Sequence, residues 1–234
     1  MRIYSIQKGM FNTFANPDGP SALDVRDFAQ RSRSFQNMAA YDTWTKNVSF
    51  GESAGQPEHM AVALVPAAYF EILDIRPIIG RLFSEDENQE GKNYVAAISA
   101  QLWRSRFDGD PSVLGRKIRI NGEPYAIVAV MPDVIPAWVE PGRHSEIWTP
   151  FPYSLDVWAE SGRGERGYAV LARLKPGVSL EQAQADLSVV AAALLLKPVS
   201  VHIGVPMRVL WHERKACPAR LALRHCRYKH ALEV

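Results

Sequence analysis

Between Lys117 and Met131 the chain reads KIRINGEPYAIVAVM, two alternating apolar runs joined by NGEP. Asn121 and Gly122 both tolerate positive φ, so the dipeptide is a strong hairpin signal and predicts an antiparallel pair, KIRI against YAIVAVM. Just upstream, YVAAIS reads as a buried strand, Ser99 as the cap of a helix AQLWRSRF, and FDGDP as the turn that ends it. On that helix Trp103 and Phe107 are expected to pack inward.

The N-terminal region follows a related plan. Residues Met1 to Ile6 alternate like a strand, and Pro17, Gly19 and Pro20 then break the chain. Ser21 with Asp24 predicts a helix start, and Leu23, Phe28, Phe35 and Met38 an apolar stripe through DVRDFAQRSRSFQNMAAY. TWTKNVSF and HMAVALVP are strand candidates either side of the turn-rich GESAGQPE, and AAYFEILDI is a short helix stopped by Pro77. From Pro132 to Tyr153 the chain reads as Pro- and aromatic-rich loop, and SLDVWAESGRGERG as a linker. YAVLARL is then a strand and KPGVS a turn. The helix SLEQAQADLSVVAAALLL opens with Ser179 and Gln182 as a capping box and carries Leu180, Ala183, Leu187, Val190 and Leu194 on one face. PMRVLWHE is a last strand. The two strand-helix-strand units can pair as one βαβ-βαβ layer with the middle inserted between them.

Composition narrows the function. With 47% hydrophobic residues the 234-residue chain folds around a core. A net charge of +2 is too small to argue for nucleic acid, and the basic character is local: His212 to Val234 carries about +4. The only cysteines, Cys217 and Cys226, lie in that tail, so the body needs no disulfide or thiolate metal. No signal peptide is read at Met1, and the longest apolar run, Val189 to Leu196, is too short to span a bilayer.

Catalytic chemistry is sparse. Glu85, Asp86 and Glu87 could bind a cation or act as acid and base, but three adjacent carboxylates in a loop do not converge, and acidic residues favour a helix start. Pairing with Glu140 or Glu146 would give a glycosidase-like set beside tryptophans Trp44, Trp103, Trp138, Trp148 and Trp158, which otherwise read as packing residues. His212, Cys217, His225, Cys226 and His230 lack zinc-site spacing, and Tyr228 is the single aromatic interleaved with the basic tail. No nucleophile elbow, P-loop or dinucleotide fingerprint occurs. No catalytic, cofactor-binding or metal residue is assigned and no cofactor is expected.

Five motifs occur in order: SALDVRDFAQRSRSFQNMAAY, VPAAYFEILDIRPIIGRLFSEDE, VAAISAQLWRSRFDGDPSVLGRKIRINGEPYAIVAVMP, EIWTPF and YAVLARLKPGVSLEQAQADL. Together they resemble the extracytoplasmic domain of MacB-type, FtsX-like ABC transporter permeases, over roughly Arg2 to Glu213. The resemblance implies an α+β fold: a porter-like lobe of two βαβ units at 1–60 and 161–213, with a mixed α/β, sabre-like lobe inserted at 61–160. The basic tail at 214–234 is expected to lie outside the fold. It implies a non-catalytic domain facing the periplasm from an inner-membrane permease and coupling transmembrane movement to the periplasmic side in efflux. Its partners would be the parent's transmembrane helices, a second protomer, a separate ATPase subunit or domain and a periplasmic adaptor, with no nucleic acid.

Two departures from the family pattern stand out. No apolar helix precedes the matched region, and RKACPARLALRHCRYKHALEV stands where the family continues toward another apolar helix. Its composition resembles out-of-frame translation, so a truncated permease fragment is expected. The alternative is a free-standing binding module for a peptide or lipid-like ligand, with a carbohydrate-active hydrolase behind it.

Overall fold

The computed structural model describes residues 20–51, 56–133, 144–152, 164 and 167–195, and the backbone of 3–6 and 10–13. In chain order the strands and α-helices are β1 (Ile3–Ile6), β2 (Met10–Thr13), α1 (Ala22–Arg31), β3 (Phe35–Phe50), β4 (Glu58–Val65), α2 (Ala68–Leu73), β5 (Ile79–Gly80), β6 (Val95–Ser99), α3 (Ala100–Phe107), β7 (Lys117–Ile120), β8 (Glu123–Met131), β9 (Ile147–Pro150), β10 (Ala169–Leu174) and α4 (Leu180–Leu195). The α+β class is as expected from the sequence. None of the described helices is long and apolar enough to cross a membrane, which says nothing of strands.

The strands form two connected pieces. The first is an antiparallel sheet in the order β1, β2, β10, β3, using the first half of β3. Because β10 is antiparallel to both neighbours, β2 and β3 run parallel, and β2-α1-β3 is a βαβ unit with β10 inserted into it. A second unit begins with β10 and α4; its expected last strand, PMRVLWHE, lies outside the described residues.

The second piece uses the other half of β3. There β3 pairs with β4, β4 with β9, β9 with β6, β6 with β8, β8 with β7, and β7 returns to β3. These six pairings close a ring. Val48, Val62, Ile98, Ile118, Ile127 and Ile147 form one buried cluster on it, joined by Leu102 and Phe107 from α3. The opposite faces of β4, β6, β8 and β9 belong to another core, containing Ala63, Ala97, Ala129 and Trp148. Burial on both faces explains why the central AVALV of β4 and VAAI of β6 are apolar throughout rather than alternating.

Local signals account for several elements. Ser21 and Asp24 form a reciprocal capping box at α1, Ser99 caps α3 through the Leu102 amide at 2.9 Å, and Ser179 with Gln182 does the same for α4. Between β7 and β8, Asn121 (φ 51°) and Gly122 (φ 88°) occupy the left-handed positions of a two-residue turn. The Asn121 amide donates to Asn47 O at 2.7 Å and its Oδ1 accepts from Asn47 N at 3.0 Å, extending the β7–β3 contact.

Four expectations change. The α1 stripe does not continue to Phe35 and Met38; α1 ends at Arg31, and both residues lie in β3, a strand of 16 residues of which TWTKNVSF is only the second half. The Asp186 carboxylate of α4 stops the helix by accepting from the turn after it, from Ser32 Oγ at 2.5 Å, Arg33 N at 2.8 Å and Ser34 N at 2.9 Å. The Pro132–Tyr153 region contains β9, a strand between β4 and β6. Next, α2 ends at Asp74, which takes a left-handed conformation (φ 58°) before Pro77 is reached. Finally, Phe107 is buried but Trp103 only half so, with Leu102 taking the inner position; the Trp103 indole N–H donates to Asp110 O at 2.8 Å.

Candidate functional site

The acidic turn is the place where catalytic or cation-binding chemistry could assemble, and its carboxylates turn apart. Residues Glu85–Asn88 form a short 3-10 helix. Glu87 points back into a fork with Arg81, Nη1 to Oε2 at 2.9 Å and Nη2 to Oε1 at 2.6 Å, and Oε2 also accepts from Ser84 N at 2.8 Å. Burial pushes the Glu87 carboxyl up, but the hydrogen bonds from Arg81 and Ser84 outweigh it and hold the group below the ordinary glutamate value. The same pairing raises the Arg81 guanidinium. Glu85 accepts from Asn88 Nδ2 at 3.2 Å, and Asp86 is exposed. A bidentate pair of this kind fixes a turn; a general acid needs a carboxyl free to exchange its proton.

Glu146 belongs to another neighbourhood, at the start of α3. Its carbonyl accepts from Ser99 N at 2.8 Å, and Oε1 lies 3.5 Å from Ser99 Oγ. Asp133 holds the same helix end, accepting from Gln101 N at 2.9 Å and pairing with Arg104 at 2.6 Å. Among the described residues no group of three or more His, Cys, Asp and Glu is placed to hold a metal ion. Glu140 and the tail residues His212, Cys217, His225, Cys226, Tyr228 and His230 lie outside the described residues.

The tryptophans divide. Trp148 is 2% exposed and packs at 5.9 Å from Phe70, so it is a core residue. Trp44 is 55% exposed on β3, with the Lys46 ammonium 5.6 Å from its ring centroid. Trp138 and Trp158 lie outside the described residues. A sugar platform needs several exposed rings in one cleft, and of the described tryptophans Trp148 is buried and Trp103 half-buried, which leaves Trp44 as the exposed one.

Two polar contacts that the sequence left unmarked do tie elements together. One is Asp186, which binds α4 to the α1–β3 turn; burial raises its carboxyl, and the hydrogen bonds from Ser32, Ser34 and Arg33 more than reverse this. The other is Arg173 of β10, whose Nε (3.1 Å) and Nη2 (2.5 Å) donate to Ile72 O at the end of α2. A charged residue inside the otherwise apolar strand AVLARL was the available signal for Arg173; Asp186, in a helix that also carries Glu181, Gln182 and Gln184, had none.

Comparison with known proteins places this framework. Residues 1–190 match the family described as MacB-like periplasmic core domain. The macrolide export ATP-binding/permease protein MacB of Bdellovibrio bacteriovorus is 38% identical over 69 residues, 30% of this chain but 10% of that protein, so the chain spans about a tenth of that relative. The periplasmic region of MacB from Actinobacillus actinomycetemcomitans superposes with a TM-score of 0.59 at 16% identity, covering 80% of this chain and 84% of that one. The extracellular domain of the noncanonic ABC-type transporter YknZ from Gram-positive bacteria gives 0.56 at 16% identity, covering 80% and 94%. At such identities the two structures show a shared fold. With the match covering residues 1–190 of 234, the chain belongs to the MacB-like periplasmic core domain family, a periplasmic domain of ABC transporter permeases.

Proposed function

We propose that the chain is the non-catalytic coupling domain of an ABC-type efflux permease, passing movement of transmembrane helices to the periplasmic side. The family match over residues 1–190 carries this reading. The side chains agree with it, because among the candidate carboxylates Glu87 is held in the Arg81 fork and Glu146 lies beside Ser99 at the start of α3. Within this reading 1–60 and 161–213 form the porter-like lobe, 61–160 the inserted lobe, and 214–234 lies outside the fold. The partners are the parent's transmembrane helices, a second protomer, a separate ATPase and a periplasmic adaptor. The Bdellovibrio relative is named for macrolide export, which makes export of a comparable amphiphilic compound the activity to test first.

The test is deletion of this domain from its parent permease. ATP hydrolysis by the partner ATPase should persist while efflux from cells is lost. Efflux that survives deletion would contradict the reading, and so would glycan cleavage by the purified chain that disappears in Glu146→Gln.

A further inference from the structure

The antiparallel sheet and the closed ring share one strand, β3, and a single shared strand would leave the join free to bend. The helix α2 fills that join. At six residues it is too short to be stable by itself, so it exists because its neighbours hold it. Tyr69, Phe70 and Ile72 are at most 1% exposed, among the most completely buried of the described residues. They lie in a core that takes Ala39, Ala169 and Leu171 from the sheet and Ala63, Ala97 and Ala129 from the outer wall of the ring.

Aromatic contacts run through the join without a gap. Tyr41 of the sheet lies 5.3 Å from Tyr69, Tyr69 lies 5.3 Å from Phe70, and Phe70 lies 5.9 Å from Trp148 of β9 in the ring wall. Such ring pairs contribute beyond the area they bury. Polar chemistry closes the far end: the carbonyl of Ile72, left without a partner within its own helix, accepts from the Arg173 guanidinium of β10. The sheet therefore grips α2 by a side-chain bond at one end and by packing along its length.

We propose that α2 is a wedge locking sheet and ring into one rigid body, so that displacement of the strands nearest the chain ends reaches the ring undiminished. This deepens the coupling reading, in which a domain with a free hinge would absorb the movement it has to pass on. Packed interiors resist deformation, and so a lock of this kind needs no further element.

The experiment is a pulsed electron resonance distance measurement on the full chain, with Cys217 and Cys226 changed to Ser and nitroxides on Gln30→Cys of α1 and Ser105→Cys of α3. Both positions are exposed. The expected result is one narrow distance population that acquires a second population in Tyr69→Ala. If that variant does not fold, Tyr69→Leu, which keeps most of the volume, is measured instead and should likewise broaden. A broad or bimodal wild-type distribution overturns the lock. So does a folded Tyr69 variant indistinguishable from wild type. No ATP or transporter is present, so either failure removes the wedge, whereas the transport reading is decided separately by efflux after deletion of the domain.

Discussion

Gly80→Ala and Gly122→Ala form a matched pair. Both glycines have φ of 88°, so a side chain at either meets the same left-handed backbone cost, about 1–2 kcal/mol. Their surroundings differ. A Cβ at Gly122 would meet nothing within 4 Å, whereas at Gly80 it would stand 2.1 Å from Val128 O and 2.9 Å from Ala129 Cα. These are main-chain atoms of β8 and cannot swing aside. Val128 O is itself engaged, accepting from Arg81 N at 3.0 Å, and Ile78 N donates to Val130 O at 2.7 Å on the same edge. Relief requires β5 to peel from β8, losing about 0.5–1.5 kcal/mol for each bond, or β8 to shift, which typically costs about 1–3 kcal/mol as overpacking. Gly80→Ala should therefore cost roughly 2–5 kcal/mol in total and Gly122→Ala about 1–2 kcal/mol. Urea unfolding followed by intrinsic tryptophan fluorescence measures both. In a chain this long each kcal/mol lowers Tm by about 2–4 °C, so the two variants should separate clearly in thermal scans as well. Equal destabilisation of the pair would refute the argument, since it would mean that the β5–β8 approach yields at no cost.

Other expectations concern charge and packing. The carboxyls of Glu87 and Asp186 titrate below their ordinary values in the folded chain, so each contributes stability above the unfolded carboxylate range near pH 4, and that contribution is lost as pH falls through the folded value. In Asp186→Asn the acid-induced fall in Tm should be shallower than in wild type; an unchanged slope would show that the clamp carries no linkage. Phe107→Ala should cost about 3–5 kcal/mol and half-buried Trp103→Ala distinctly less, checked by chemical denaturation. Ser99→Ala should cost about 1 kcal/mol as the loss of an α3 cap, measured by the same denaturation.

How far the sequence discloses this fold depends on whether a signal is local. Ser99, Ser179 with Gln182, and Asn121-Gly122 act on backbone groups within a few residues, and each stands where its spacing places it. The end of α1 was hidden because its cause sits far along the chain, in Asp186, which captures the Ser32–Ser34 turn and frees Phe35 to begin a strand. Likewise β9 reads as loop: four residues ending in Pro150 carry little pattern, and only pairing with β4 and β6 makes them a strand. Ring closure was invisible for the same reason, since β7 must meet β3 across about 70 residues of chain. The acidic turn was legible as structural from its crowding, but its Arg81 partner was not, because a fork six residues away follows no fixed spacing.

The most direct test of the coupling account is made in the parent permease, held in a lipid nanodisc with its ATPase and labelled at Ser105→Cys on α3. Distances between the labels of two protomers are recorded with ADP and with a non-hydrolysable ATP analogue. The account predicts that the inter-protomer distance shifts with nucleotide, while the Gln30–Ser105 distance within one copy, recorded in a second sample whose single labelled protomer carries both Gln30→Cys and Ser105→Cys, stays fixed. Superimposable inter-protomer distributions in the two states would contradict it, because a domain that does not move with nucleotide transmits nothing.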